Sequence, residues 1–156
     1  MKLQVADLNS FYGPAHILFD IALEVGEGEV VALLGRNGAG KSTTFRSIIG
    51  LVESRTGKIV FEGKDVSDQP THAIVSRGLG YVPEERRIFT DLTVDENLEV
   101  GRQAIRPNAP HWTREKLFTL FPNLAEMRNR PGGRMRGGEQ QMLTIARTLM
   151  GNPSLV

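Results

Sequence analysis

The sequence predicts an α/β fold with a mixed sheet, an antiparallel β portion near the N-terminus and a helical segment in the second half of the chain. Two patterns support this architecture. Before residue 83, strand-like alternation and apolar runs are separated by glycine turns. After residue 83, helix caps and a helical spacing of apolar residues take their place. With 156 residues, 40% of them hydrophobic, the chain can bury the core of one ordinary domain.

Strands dominate the first predicted elements. In residues 17–25 a large apolar side chain stands at every second position, from Ile17 to Val25, which predicts a half-buried antiparallel strand. After a glycine turn, the apolar run at residues 29–34 predicts a buried strand. A helix is predicted over residues 41–49 because Gly50 can end it there.

Three shorter elements are predicted before residue 83. Residues 58–61 predict a strand that ends at a turn at residues 62–63. Pro70 and Gly78 suit the first position and the C-terminal cap of a short helix. Residues 79–82 predict another core strand.

The second half of the chain predicts helices. Thr93 and Glu96 form a capping box that starts a helix running through Val100. Prolines separate it from a second helix, whose apolar face is predicted to contain Leu117, Leu120 and Phe121. A last amphipathic helix is predicted from Met142, Ile145, Ala146 and Leu149, and Gly151 and Pro153 are predicted to end it.

Residues 35–42, called the phosphate loop below, match the pattern G-x-x-x-x-G-K-[ST] between the apolar run and the first predicted helix. In that setting the motif binds a nucleoside triphosphate. The alternative is a glycine turn that binds nothing. The predicted ligand-binding residues are Gly35, Arg36, Asn37, Gly38, Ala39, Gly40, Lys41, Ser42 and Thr43.

Each residue type in the phosphate loop has a physical reason. Glycines allow the backbone N–H groups to close around phosphate oxygens, and the following helix adds the positive end of its dipole. Lys41 is predicted to reach the β- and γ-phosphates, and Ser42 to supply a hydroxyl to Mg²⁺. Thr43 is predicted to assist near the α-phosphate. The motif therefore predicts a bound nucleotide together with Mg²⁺.

Composition narrows the function classes. A formal net charge of +1 gives no argument for nucleic-acid or anionic-membrane binding. No run approaches the roughly 18 apolar residues of a membrane span, and the first residues open no secretory signal, which predicts a soluble, cytoplasmic chain. Without cysteine, and with His16, His72 and His111 scattered, no structural metal is expected.

Gly137, Gly138, Glu139, Gln140 and Gln141 precede the last predicted helix, about a hundred residues after the phosphate loop. This arrangement resembles the signature sequence of ATP-binding cassette (ABC) ATPases, and the resemblance extends along the whole chain. It implies a P-loop NTPase fold of the ABC type. It also implies that Tyr12 stacks on adenine. The alternative for Tyr12 is an aromatic residue that merely ends a strand.

Residues 81–98 resemble the ATPase subunits of branched-chain amino-acid importers. Most ABC ATPases have glutamine where this chain has Glu84, and glutamate is typical of that importer subfamily. By this resemblance Glu84 approaches Mg²⁺ or the attacking water, and its loop relays the nucleotide state to a membrane partner. An ordinary surface glutamate is the alternative.

The resemblance also implies how the chain is divided. Residues 1–156 are expected to form a single, partial ABC ATPase domain. Residues 1–83 and 137–156 are expected to form the nucleotide-binding core, and residues 84–136 a helical subdomain that ends at the signature sequence.

In the function that the resemblance implies, two such ATPase subunits, identical or homologous, sandwich two ATP molecules and drive transmembrane permease subunits. A solute-binding protein is an indirect partner, no nucleic acid is involved, and the ATPase lies peripherally on the inner face of the membrane. Three alternatives remain open: a urea or amide importer ATPase, a non-transport ABC ATPase, and a hydrolysis-inactive nucleotide-binding fragment. Neutral net charge and the lack of a long coiled coil oppose the second of these.

One departure from the family lies at the signature sequence. Residues Arg136, Gly137, Gly138, Glu139 and Gln140 are implied to contact the ATP held by the opposite subunit. The family normally has Leu-Ser before the two glycines, whereas this chain has Met135 and Arg136. Arginine cannot reproduce the geometry of a serine hydroxyl. Weakened cooperative hydrolysis is therefore expected.

A second departure concerns hydrolysis, which needs an acidic residue at the end of a core strand and a glutamate that polarises water. No catalytic residue of either kind is identified. Asp20 and Glu62 follow apolar runs that imitate such a strand, but Asp20 is predicted to face solvent, and the run before Glu62 is ended by a turn. The chain is therefore expected to be truncated at its C-terminus. It is also expected to be marginally stable, with weak nucleotide binding and negligible turnover.

Overall fold

A computed structural model describes all 156 residues, which form two compact units, residues 1–75 and residues 76–156. The first unit is built on a four-stranded sheet in the order β2-β1-β3-β4, with antiparallel pairing throughout. Its elements in chain order are β1 (Leu3–Tyr12), β2 (Ala15–Val25), α1 (Lys41–Ile48), β3 (Ser54–Phe61), β4 (Lys64–Asp65) and α2 (Thr71–Ser76).

The core of the first unit lies between one face of this sheet and the helices. Alternate strand residues point to the same face, so β1 and β3 each bury one set of side chains. Helix α1 packs against β1 and β2. The most deeply buried hydrophobic residues of this unit are Leu3, Val5, Leu8, Leu18, Ile48, Ile49, Val52, Ile59, Phe61, Val66 and Ile74.

Several local predictions in the first unit are confirmed. Strand β2 covers residues 17–25, but the predicted alternation holds only from Ile21 to Val25, because Leu18 is buried and Phe19 is 62% exposed. Helix α1 ends just before Gly50, whose φ is +85°. Strand β3 covers residues 58–61 and reverses into β4 at the predicted turn. Helix α2 lies between Pro70 and Gly78, as predicted. These elements depend on patterns within a few residues of one another.

Strand β1 was not predicted, because its burial pattern departs from a period of two. Leu3 and Val5 face the core, but the next inward residue is Leu8. Between them the register against β2 and β3 shifts, and Asp7 adopts a positive φ of 52°. Gly57 lies opposite this bulge, where a Cβ atom would collide with the backbone of Asp7. Because the bulge interrupts the alternation of buried and exposed residues, a search for strict alternation does not detect β1.

The predicted strand at residues 29–34 is wrong in this structure. These residues have no strand conformation, and Val30, Val31 and Leu34 are 97%, 49% and 88% exposed. A β-strand is held by ladder hydrogen bonds to a neighbour, and no described strand pairs with this run. An apolar run alone therefore did not produce a strand.

The prediction of a strand at residues 79–82 is also wrong, because this segment forms only a single isolated bridge to another segment. Leu79 forms an isolated parallel bridge with Leu155, and the Gly80 N–H donates to the Leu155 carbonyl at 2.7 Å. The bridge is the only parallel pairing in the structure.

The second unit contains four helices and a short 3₁₀ turn at Gly132–Arg134. None of the helices in the chain is long and apolar enough to cross a bilayer. The helices of the second unit are α3 (Val94–Val100), α4 (Arg114–Leu120), α5 (Pro122–Glu126) and α6 (Gly137–Leu149).

The capping box predicted at the start of α3 is confirmed. The Glu96 N–H donates to the Thr93 hydroxyl at 3.2 Å, and the Thr93 N–H donates to Oε2 of Glu96 at 2.8 Å. Behind this cap, Asn97 is fully buried and accepts from the Phe89 N–H at 2.9 Å. Its amide nitrogen donates to the carbonyls of Phe89, Leu92 and Thr93. Asn97 therefore anchors the segment before α3.

The core of the second unit lies mainly between α3, α4, α5 and α6. One predicted apolar face needs correction. Leu120 is 51% exposed, because α4 ends there and Phe121 leaves the helical region at φ −123°. The amphipathic helix α6 is present as predicted, with Ala146 buried in the core and Met142 and Leu149 partly buried against it. The fully buried hydrophobic side chains of this core are Val94, Leu98, Leu117, Leu124, Leu143 and Ala146.

Candidate functional site

The phosphate loop leads directly into α1. Gly40 is the N-cap of α1 at φ 96°, and Gly38 has a φ of 81°. The Ala39 N–H donates to the Arg36 carbonyl at 3.1 Å, which closes a turn within the loop. A Cβ atom at Gly40 would lie 2.7 Å from Cδ2 of Leu18. The loop therefore lies tightly on β2, at a place where only glycine fits.

Lys41 extends back along the phosphate loop. Its Nζ atom donates to the Gly35 carbonyl at 2.7 Å and to the Arg36 carbonyl at 2.9 Å. The ammonium group thus lies beside the loop, next to the start of α1. The first N–H groups of a helix have no acceptor inside the helix, and they carry the positive end of its dipole. This combination can attract an anion.

Residues of the first turn of α1 divide between the surface and the core. Ser42 and Thr43 are half-buried. Thr44 is buried, and its hydroxyl donates to the Gly40 carbonyl at 2.9 Å. The remaining predicted ligand residues of the loop are exposed: Gly35, Arg36, Asn37, Gly38 and Ala39.

Tyr12 is the last residue of β1 and is 44% exposed. The register of β1 against β2 shifts between Ser10 and Phe11, but the pairing of β1 with β3 is regular from Asn9 to Phe11. Because residues two apart on a regular strand point to the same side, we infer that Tyr12 lies on the same face as Ser10. Ser10 is buried against α1, where its hydroxyl lies 2.7 Å from the hydroxyl of Ser47. Tyr12 therefore belongs to the sheet face on which the helix that follows the phosphate loop packs.

Sequence reasoning missed a row of rings at the end of the same hairpin. The ring of His16 stacks on Phe11 at 4.3 Å and contacts Phe19 at 3.8 Å between centroids. His16 Nε2 also lies 2.9 Å from Oδ1 of Asn9. The register places Phe11 opposite His16, and that pairing could not be derived without β1.

Glu84 lies in the second unit and is exposed. It belongs to a segment without regular structure, residues 83–89, called the Glu84 loop below. Thr144 and Arg147 of α6 hold this loop by donating to the carbonyls of Arg86 and Arg87, at 2.6 and 2.7 Å. The loop is thus attached to the helix that follows the signature residues.

Arg147 was not singled out by the sequence, although it is the most constrained cation of this region. Burial lowers the pKa of its guanidinium group. The group lies over the ring of Phe89 at 5.3 Å, and its Nη1 atom is buried without a hydrogen-bond partner. An arginine on an amphipathic helix gives no local signal of such contacts, because they involve residues 60 positions away.

The signature residues form the N-terminus of α6. Arg136 is the N-cap at φ −76° and ψ 162°, and its backbone N–H donates to Oε2 of Glu139 at 2.7 Å. A guanidinium group has no acceptor atom, so it cannot cap the N–H groups of the helix as serine does. Gln140 donates through its side-chain amide to the Gly132 carbonyl at 3.2 Å. The N-cap residue Arg136 thus offers no side-chain acceptor to the N–H groups of the first turn of α6.

The two glycines of the signature differ in their surroundings. A Cβ atom at Gly137 would lie 3.0 Å from Nη1 of Arg86, whereas a Cβ atom at Gly138 would meet nothing within 4 Å. Gly137 therefore has a close neighbour in the Glu84 loop, and Gly138 faces open space.

The protein-family profile for ABC transporters matches residues 18–156 of this chain. The chain belongs to the ABC transporter ATP-binding family. Its matched region contains both the phosphate loop and the signature residues. The resemblance to ABC ATPases is thus confirmed.

Two curated relatives of this ABC domain show the same level of identity. The high-affinity branched-chain amino acid transport ATP-binding protein BraG of Pseudomonas aeruginosa is 40% identical over 149 residues, which cover 96% of the chain and 64% of BraG. The lipopolysaccharide export system ATP-binding protein LptB of Haemophilus influenzae is 40% identical over 156 residues, which cover 99% of the chain and 65% of LptB. The chain thus spans about two thirds of the length of these relatives.

Solved structures confirm the predicted ABC-type P-loop NTPase fold, α/β in class. The ATP-binding subunit of an ABC transporter superimposes with a TM-score of 0.80 at 30% identity, over 98% of this chain and 63% of that one. A bacterial ABC transporter cassette, solved as a dimer, gives a TM-score of 0.76 at 26% identity, over 97% of this chain and 70% of that one.

Asp20 of this ABC domain faces solvent, as predicted. Glu62, which follows the other strand-like run, is exposed as well. Asp20 accepts from the side-chain amide of Asn9 at 2.9 Å, and Glu62 accepts from Nζ of Lys2 at 3.0 Å. Both carboxylates take part in local surface contacts of the antiparallel sheet.

Proposed function

We propose that this chain belongs to the ATP-binding subunit of an ABC transporter, and that it binds Mg²⁺-ATP at the phosphate loop. The observation that carries the proposal is the position of Lys41, whose ammonium group lies against the loop beside the N-terminus of α1. A polyphosphate binding there meets a cation and the positive end of a helix dipole. Tyr12 supplies the ring for adenine at the end of β1.

The residues present fit Mg²⁺ together with a triphosphate. The loop glycines keep the backbone free of side chains at Gly35, Gly38 and Gly40, and Ser42 follows the ammonium group as a half-buried hydroxyl. Mg²⁺ prefers oxygen ligands, and when bound beside a triphosphate it would neutralise part of the phosphate charge. Ser42 and Glu84 are the proposed protein ligands. We assign no catalytic base to any residue of the chain.

The signature residues 136–140 are proposed to face the ATP of a second, homologous ATPase subunit. The N-terminus of α6 supports this role because a helix N-terminus favours an anion. A cassette of the same fold has been solved as a dimer, which supports such an arrangement. Residues 1–83 and 137–156 are proposed as the nucleotide-binding core, and residues 84–136 as the helical subdomain.

Turnover of ATP and the remaining partners are proposed for the whole subunit. It hydrolyses ATP while bound to transmembrane permease subunits on the inner face of the membrane. Branched-chain amino acids are the proposed solute, delivered by a solute-binding protein, because BraG is 40% identical. Lipopolysaccharide export is the competing function, since LptB has the same identity. Transport of labelled leucine by the assembled system distinguishes the two.

Calorimetric titration of the purified chain with Mg²⁺-ATP tests the binding site. We expect Lys41→Ala to weaken ATP binding at least tenfold, since an ammonium group beside phosphate contributes a charge-assisted hydrogen bond of about 1.5–3 kcal/mol. Lys58→Ala is the matched control, because Lys58 is an exposed residue of β3. If folded wild-type chain takes up neither ATP nor ADP in the presence of Mg²⁺, the proposal fails.

A further inference from the structure

We propose that the buried hydrogen bond between Ser10 and Ser47 positions Tyr12 relative to the phosphate loop, and so determines how much the base contributes to nucleotide affinity. Ser10 and Ser47 are positioning residues in this proposal, because neither is expected to touch the ligand. The inference rests on the proposed function, since the ring of Tyr12 and the phosphate loop must bind the same nucleotide.

The direction of the hydrogen bond follows from the donors available. The two hydroxyl oxygens are 2.7 Å apart, and both side chains are 0% exposed. Ser47 also lies 2.7 Å from the Thr43 carbonyl, which can only accept. A serine hydroxyl has one proton, so Ser47 donates to Thr43 and Ser10 donates to Ser47. A chain of two hydrogen bonds therefore runs from β1 to the backbone of Thr43.

Both ends of this chain lie next to predicted ligand residues. Ser10 is two residues before Tyr12, on the same face of β1. Thr43 follows Lys41 and Ser42 in the first turn of α1. The hydrogen bonds thus link the strand that carries the ring to the helix turn that carries the phosphate-binding side chains.

The rest of this interface between sheet and helix is mainly apolar. Its buried side chains include Leu8, Leu18 and Ile48. Apolar contacts are non-directional, so they resist separation of the two elements more than sliding. A buried hydroxyl that loses its partner costs free energy, and the serine pair therefore opposes sliding of β1 along α1.

A contact on the neighbouring strand reinforces the same position. Leu18 is the cross-strand partner of Ser10 in the register of β1 and β2. The Leu18 side chain lies under Gly40, where a Cβ atom would be 2.7 Å away. One row across the hairpin therefore contacts both the end of the phosphate loop and the body of α1.

A positioning role and a purely structural role of the serine pair predict different effects on the affinities for ATP and for inorganic tripolyphosphate. Inorganic tripolyphosphate occupies the phosphate loop but has no base. A pair that only stabilises the fold affects both ligands alike. A pair that positions Tyr12 affects ATP alone, because stacking on Tyr12 is available only to the base.

The test measures Mg²⁺-ATP and Mg²⁺-tripolyphosphate affinities for the purified wild-type chain and for Ser47→Ala, Ser10→Ala and Tyr12→Ala. We expect Ser47→Ala and Ser10→Ala to weaken ATP binding about fivefold, and tripolyphosphate binding less than twofold. Combining Ser47→Ala with Tyr12→Ala is expected to weaken ATP binding no further than Tyr12→Ala does, because the serine acts through the ring.

Conservative variants keep the test informative if an alanine variant does not fold. Ser47→Cys preserves the shape of the side chain but forms only weak hydrogen bonds, so it is expected to weaken ATP binding selectively. Ser10→Cys makes the matched change at the other end of the pair, so it is expected to weaken ATP binding to a similar extent.

The possible outcomes separate this inference from the proposed function. If the wild-type chain binds neither ligand, the proposed function fails and the inference fails with it. If the wild-type chain prefers ATP to tripolyphosphate but the serine variants keep that preference, the inference alone is overturned. Equal loss of both affinities in a folded variant also overturns it, since that result indicates a purely structural pair.

Discussion

Thr144 of α6 donates its hydroxyl to the backbone carbonyl of Arg86, at a distance of 2.6 Å. Next to this contact, Arg147 donates to the carbonyl of Arg87. Arg86 and Arg87 have φ values of 60° and 39°, in the left-handed region that residues with a Cβ atom rarely adopt. Such a backbone needs support from its surroundings. The Glu84 loop is thus held in its conformation by the helix that begins at the signature residues.

We predict that Arg147→Met lowers the free energy of unfolding by about 1–3 kcal/mol, because it removes a partly buried charged hydrogen-bond donor from the Arg87 carbonyl. Urea titration followed by the fluorescence of the single tryptophan, Trp112, measures the change in the second unit. Arg102→Met is the control, since Arg102 is 57% exposed and pairs only at the surface with Glu99. If both variants lower the free energy of unfolding equally, the hydrogen bond from Arg147 to the Glu84 loop contributes no more than a surface ion pair does.

The capping box of α3 predicts a stability that depends on pH. The backbone N–H and the hydroxyl of Thr93 donate to Glu96, and these hydrogen bonds lower the pKa of its carboxyl below the ordinary 4.5. The ionised form is favoured in the folded state. The contribution of ionised Glu96 to the free energy of unfolding is therefore fully present above the carboxyl pKa of the unfolded chain. It is lost as the pH falls through the lowered pKa of the folded state.

Thermal unfolding between pH 2 and pH 7 checks this prediction. We expect Thr93→Ala to lower the free energy of unfolding by about 1 kcal/mol near neutral pH, as loss of an N-cap does. The difference from wild type is expected to shrink below the ordinary glutamate pKa, because protonated Glu96 no longer gains from these donors. A difference that stays constant down to pH 2 contradicts the assignment.

Substitutions at three glycines allow the free-energy cost of backbone strain to be measured apart from the cost of a steric clash. At Gly40 an added Cβ atom has both a φ of 96° and the side chain of Leu18 against it, whereas at Gly38 only the φ of 81° opposes it. We predict that Gly40→Ala lowers the free energy of unfolding by about 1–3 kcal/mol more than Gly38→Ala, because overpacking adds to strain. Gly138→Ala is the control, since its Cβ atom would meet open space. Urea unfolding of the three variants measures the order, and equal losses for Gly38 and Gly40 refute the steric term.

Arg136→Ser restores a side-chain acceptor at the N-cap of α6. We predict that it raises the free energy of unfolding by about 1 kcal/mol, because a serine N-cap accepts from the N–H groups of the first turn. Arg136→Ala lacks such an acceptor and is expected to give no gain. Chemical denaturation of both variants measures the difference. If alanine stabilises the chain as much as serine does, capping is not the cause.

The same substitution tests the expected weakness of cooperative hydrolysis. In the whole subunit, assembled with its permease, Arg136→Ser is expected to raise the steady-state rate of ATP turnover, since the hydroxyl can reach a γ-phosphate in a geometry that a guanidinium group cannot adopt. Arg136→Ala serves as the comparison that removes the charge without adding the hydroxyl. An unchanged rate in the serine variant removes the hypothesis.

Local patterns were sufficient for much of the fold. The capping box of α3 and the turn after β3 depend on residues at most four apart, and both are present as predicted. Strand β1 was missed because the bulge at Asp7 interrupts its alternation. The apolar residues 29–34 were assigned wrongly, because strand formation requires a partner that an apolar run does not specify.

The sequence by itself indicated the family through residues 137–141, and it predicted the phosphate loop and its helix, because the spacing of glycines, Lys41 and Ser42 is a local property. Only the tertiary structure decided which side chains support these residues. The hydroxyls of Ser10 and Ser47 are 37 positions apart, and Arg147 holds a carbonyl 60 positions away. Such contacts arise from strand register and helix packing, which depend on the whole chain and leave no trace in a short window of residues.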